Sequence, residues 1–159
     1  MIATLFCLDT SFLNNGWWKR YRRDVFPTLW EEIDKLLYAG NVFSCREVFD
    51  DLKKQRDPLL VWATQRKQFF FEPDDQVIAN MQHIMGHFPN FAAESGHANA
   101  SDPWVIAEAM SRGAIVVTDE VSAPNRRASK PPKIPDVCNA LKVGWASPID
   151  FLAEAGIRL

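Results

Sequence analysis

Three short apolar runs constrain the fold most: "MIATLFCL" at 1–8, "NVFSC" at 41–45 and "AIVVT" at 114–118. Each has strand length, each is bounded by polar residues, and between them lie segments whose apolar residues recur at helical spacing. "FPTLWEEIDKLLYAG" places Leu29, Ile33, Leu36 and Leu37 on one face between Pro27 and Gly40, a helix with recognisable ends. "REVFDDLKK" continues the pattern through Val48, Phe49 and Leu52. Further helices are expected from Pro58 to about Phe70, from about Pro73 to His87, and from a cap-like Ser101 to Gly113. "VCNALKVGWAS" reads as a short helix and a last strand, and "PIDFLAEAGI" as a terminal helix. Strands alternating with helices predict an α/β fold with a mostly parallel central sheet.

The 159 residues fit one domain, 1–159. Six Trp and eleven Phe supply a core too aromatic for a disordered chain. The N-terminal apolar run has no basic start and ends at Asp9, so it reads as a strand rather than a signal peptide, and no stretch reaches the ~20 apolar residues of a membrane span. Cys7, Cys45 and Cys138 show no C-x-x-C spacing, the pattern of reduced core thiols in a cytoplasmic protein.

In parallel sheets ligands bind beyond the carboxyl ends of the strands. Asp9 and Asp119 stand at two such ends, and Asp102 opens a helix able to face the same crevice. Glu47 and Asp51, four apart, share a face of the helix after the second strand. Several carboxylates gathered together repel one another unless a cation sits among them. Oxygen donors without a neighbouring Cys suit Mg²⁺ or Mn²⁺, and such a site serves phosphodiester hydrolysis.

A formal charge of −2 excludes nucleic-acid binding through bulk charge alone, but two segments are basic. "KRYRR" at 19–23 follows Trp17 and Trp18, and "RRASKPPK" spans 126–133. Either is a solvated surface, or a place where phosphates are held and bases stack. His83, His87 and His97 have a spacing that permits zinc, but "HIMGH" lacks the Glu of a metalloprotease helix, and packing or surface roles fit better. A phosphatase of D-x-D-x-T type is excluded by Ser11 at the second Asp position, and no Gly-rich phosphate loop is present.

The succession "CLDTSFL", "SCREVFDDL", "SDPWVIAEA" and "AIVVTDE" resembles the PIN-domain nucleases over essentially the whole chain, above all a bacterial PIN-like branch of unknown function. The resemblance implies a three-layer α/β/α sandwich and a ribonuclease like the toxins of type II toxin–antitoxin pairs, using Mg²⁺ or Mn²⁺. It places Asp9, Asp102 and Asp119 as metal ligands, with Glu47 or Asp51 as the second acid of a quartet. Glu120 and Asp136 are additional candidate acids, Asp136 alternatively capping the following helix. Thr10 and Ser11 either cap the first helix or orient Asp9. Arg126, Arg127 and Lys130, with Lys133, would hold the RNA backbone. The implied partners are an RNA substrate, a cognate antitoxin and a second copy of the chain in a homodimer. The Trp17–Arg23 segment is a candidate antitoxin surface. A catalytically silent module that binds RNA or protein is the alternative.

Overall fold

The computed structural model describes residues 3–91, 100–127 and 130–159. Strand β1 (Phe6–Leu8) leads into helix α1 (Thr10–Asn15), which continues as a π-helical turn over Gly16–Arg20. Helix α2 (Pro27–Ala39) starts on a proline and stops at Gly40, whose φ of 86° meets the left-handed requirement at a helix end. Strand β2 (Val42–Cys45), helix α3 (Arg46–Lys53) and helix α4 (Pro58–Thr64) follow. The expected helix to about Phe70 ends early: a 3₁₀ turn at Lys67–Phe69 delivers a two-residue strand β3 (Phe70–Phe71). Helices α5 (Asp75–His87) and α6 (Asp102–Arg112) precede strand β4 (Ile115–Val117). Helix α7 (Ile134–Leu141), strand β5 (Trp145–Ala146) and helix α8 (Pro148–Glu154) complete the described elements. His97 lies outside the described residues, as does most of the expected loop at 89–101.

The sheet has the order β3-β2-β1-β4-β5, and every pairing is parallel. Helices cover both faces, because successive side chains of a strand point to opposite sides. The Phe6 ring lies 5.0 Å from Phe151 of α8, while Cys7 turns the other way, its Sγ 3.8 Å from the Val105 carbonyl of α6. The result is a three-layer α/β/α sandwich.

This order determines where a site forms. From β1 the chain first builds outward to β2 and β3, then returns to the other side of β1 for β4 and β5. The direction of winding therefore reverses between β1 and β4, the switch point at which open α/β sheets leave a crevice beyond the strand ends. Cys7 pairs with Val116 and Leu8 with Val117, so the two strands exit side by side. The Asp9 N–H still donates to the Val117 carbonyl at 3.0 Å, one residue beyond the strand. Helix α6 runs back to the start of β4, so its first residue, Asp102, stands at the same edge.

Candidate metal centre

Asp9 is buried at the end of β1 and caps α1, its Oδ1 accepting the Phe12 N–H at 2.7 Å. The expected cap roles of Thr10 and Ser11 thus fall to the acid itself, and the two hydroxyls do other things. Ser11 Oγ lies 2.9 and 2.8 Å from the two Asp9 oxygens, and Thr118 Oγ1 donates to Oδ2 at 2.8 Å. Thr10 Oγ1 donates to Asp51 Oδ2 at 2.8 Å, and Ser101 Oγ donates to the same oxygen at 2.6 Å. Ser101 therefore makes no side-chain cap for α6. Thr10, Ser101 and Thr118 each adjoin one acid in sequence but hold another in space: the first two hold Asp51 and the third holds Asp9.

Carboxylate oxygens of Asp9, Asp102 and Glu120 all lie within 4.8 Å of one another. Asp9 and Asp102 are buried and Glu120 is half-buried. One oxygen of Glu120 is fixed by the Ile134 N–H at 3.0 Å, the first amide of α7, where the helix dipole favours an anion. Burial pushes the Asp9 carboxyl up to about 7, against the lowering effect of hydrogen bonds from Phe12, Thr118 and Ser11. Asp102 is raised well above the carboxylate range, first by burial and then by the charge of Glu120. Their mutual proximity is thus costly at neutral pH without a positive charge. The donors are all carboxylate oxygens, the set preferred by a hard divalent cation, so the residues fit Mg²⁺ or Mn²⁺.

The remaining candidate acids divide. Asp119 is adjacent to the triad but committed elsewhere: Asn15 Nδ2 donates to Oδ2 at 2.5 Å and Arg20 Nε to Oδ1 at 2.8 Å. Glu120 takes the place in the triad at which Asp119 was expected. Asp51 borders the crevice through Thr10 and Ser101, and its charge is felt at Asp102. Glu47, one turn earlier, pairs with Arg46 at 2.8 Å and lies in the electrostatic neighbourhood of Glu108 and Cys45. Asp136 is within the first turn of α7, where it accepts from Ser122 Oγ at 2.5 Å and the Ala123 N–H at 2.8 Å, tying down the loop after β4. Thr118 and Ser101 were missed as positioning residues; the strings "TDE" and "SD" set each beside one acid, but the acids they hold, Asp9 and Asp51, are distant in sequence.

The basic segments are placed differently from one another. Arg126, Arg127 and Lys130 are exposed and line a groove of about 330 Å³ with Phe88, Asn90 and Asp136. Trp17, expected at a surface, is buried, its ring 5.1 Å from Trp30 and 5.9 Å from Trp62. Consecutive residues of a helical turn do not share a face, so Trp17 enters the core while Trp18 faces solvent. The His83 and His87 rings lie 4.5 Å apart, tilted by 55°, with His87 Nδ1 3.0 Å from the His83 carbonyl oxygen. Cys7, Cys45 and Cys138 are buried free thiols, and burial raises the pKa of each. No helix among the described residues is long and apolar enough to cross a membrane.

No curated protein matches the chain. A family model does, over residues 6–159, a span containing every acid of the crevice. The chain belongs to the family described as domain of unknown function DUF4411.

Proposed function

We propose that the protein is a Mg²⁺- or Mn²⁺-dependent phosphodiester hydrolase that cuts RNA, acting in the cytoplasm as the toxin of a type II toxin–antitoxin pair. The observation that carries the hydrolase reading is the convergence of Asp9, Asp102 and Glu120 within 4.8 Å at the switch point of a parallel sheet. The preference for RNA, the toxin role and the antitoxin partner rest on the resemblance of the motif order to PIN-domain nucleases.

Asp9, Asp102 and Glu120 would hold the cation, and Asp51 stands behind them to accept a proton or orient water. A bound cation would neutralise the converging charge, lower the pKa of water and stabilise the negative charge building on the phosphoryl oxygens. The protein's own groups keep the acids in position: Ser11 and Thr118 on Asp9, Thr10 and Ser101 on Asp51, and the Ile134 amide on Glu120. The segment between Glu120 and Ile134 carries Arg126, Arg127 and Lys130, cations that would hold the RNA backbone.

The test is cleavage of structured and single-stranded RNAs by wild type, Asp9→Asn and Asp102→Asn, with Mg²⁺, Mn²⁺ or EDTA. Metal-dependent cutting that falls at least a hundredfold in either variant is expected. A folded wild type that binds Mn²⁺ and RNA yet leaves every RNA intact would replace the hydrolase with a binding module on the same fold.

A further inference from the structure

The triad does not account for the far end of the π turn. There, Trp18, Arg22, Arg23 and Pro58 line a groove of about 440 Å³ with Trp17 and Asp24. Trp18 is 46 % exposed, whereas Trp17 before it packs into the core. Its indole is not loose: Nε1 lies 3.3 Å from Asp57 Oδ2, and the other Asp57 oxygen caps α4 by accepting the Leu60 N–H. An aromatic ring is thus presented to solvent by an anchored edge, beside two guanidinium side chains. Arg22 is oriented by Asp24, which accepts from its Nε and Nη2.

The groove lies on the same edge of the molecule as the triad. Helix α2 runs from Pro27 back to the start of β2, so its beginning, and the 21–26 loop before it, lie at the edge where the strands end. Arg20 bridges the two regions: its Nε holds Asp119, next in sequence to Glu120, while Trp18 is two residues away on the same turn. A second concavity, of about 180 Å³, is lined by Arg20, Tyr21, Asp119 and Glu120, beside the acids.

We propose that this groove is a nucleobase subsite for the single-stranded RNA cut at the triad: a base stacks on Trp18, and Arg23 holds the adjoining phosphate. This rests on the hydrolase reading for its location, but it concerns binding and is separable from cleavage. The chemistry favours a strand over a folded duplex, because stacking on a side chain requires an unpaired base, whereas A-form helices are met through backbone and minor groove. Stacking is tolerant of base identity, so the subsite adds affinity for unpaired RNA rather than a sequence code.

The experiment measures anisotropy of labelled 12-nucleotide single strands, one with bases and one with an abasic backbone, in EDTA so that nothing is cut. Wild type, Trp18→Phe, Trp18→Leu and Arg23→Gln are compared, each first shown by thermal melting to be folded. Trp18→Leu is expected to bind the base-bearing strand about tenfold more weakly, and Trp18→Phe close to wild type. The abasic strand should respond to Arg23→Gln but not to either Trp18 variant. Equal binding of the base-bearing strand by wild type and Trp18→Leu would overturn the proposal. So would RNA binding left intact while Trp18→Leu loses a polypeptide that copurifies with wild type, which would reassign the groove to a protein partner. Metal-dependent cutting with an unchanged KM in Trp18→Leu sinks the subsite alone. Trp18-dependent binding with no cutting by wild type sinks the hydrolase alone.

Discussion

Asp9 has two duties that one substitution separates. As the cap of α1 it needs only an oxygen acceptor, which Asn supplies about as well. As a member of the triad it needs a charge. In the folded protein its proton is retained to about pH 7, against an ordinary value of 3.8. The folded state therefore binds that proton more tightly than the unfolded chain, and this contribution to stability is complete below about pH 4 and lost as pH rises through 7. The gap corresponds to about 4 kcal/mol across that range. In EDTA, wild type should lose stability between pH 5 and pH 8, and Asp9→Asn should show a flatter profile with a higher melting temperature at pH 8. Parallel profiles for the two proteins would show that Asp9 does not carry the raised pKa. The identity of Asp9 was legible because an acid ends an apolar run. The choice between Asp119 and Glu120 was not, since neighbouring residues on an extended chain point in different directions and only the groups waiting there decide between them. Asn15 and Arg20 claim the first, and the Ile134 amide the second.

Among the elements, the π turn differs from its sequence reading in which aromatic is exposed. The sequence reads Trp17–Arg23 as one exposed aromatic and basic segment. The turn instead buries Trp17 between Trp30 of α2 and Trp62 of α4, while Trp18 remains outside. Removing a buried indole costs about 3–5 kcal/mol through lost burial and the cavity left behind. Trp17→Ala should therefore lower the denaturation midpoint severely, and Trp18→Ala should change stability by less than about 1 kcal/mol, as chemical denaturation would report. Similar losses in both would contradict the burial of only one. Strand β3 was also missed, for a different reason: two residues that follow directly on a helical pattern carry no alternation of their own. Their strand character comes from pairing, Ser44 with Phe70 and Cys45 with Phe71.

At the scale of the whole molecule, cation binding and protonation compete for the same carboxylates. Mn²⁺ should raise the melting temperature more at pH 8 than at pH 5, because at pH 5 Asp9 holds its proton and burial favours the protonated form of Asp102 as well. At a hundredfold excess over its Kd the ion would add about 2.7 kcal/mol. Equal shifts at both pH values, or shifts that survive Asp9→Asn and Asp102→Asn, would place the ion elsewhere. The sequence by itself determined the alternation of strands and helices, the parallel sheet, and the acids at Asp9 and Asp102, since these follow from the period of apolar residues and from where that period is interrupted. Only the tertiary structure decided that Glu120 joins them, that Asp51 rather than Glu47 borders the crevice, and that the second tryptophan of a pair is the exposed one. Those choices depend on side chains distant in sequence competing for the same hydrogen bonds and the same core volume. A local pattern does not encode that competition.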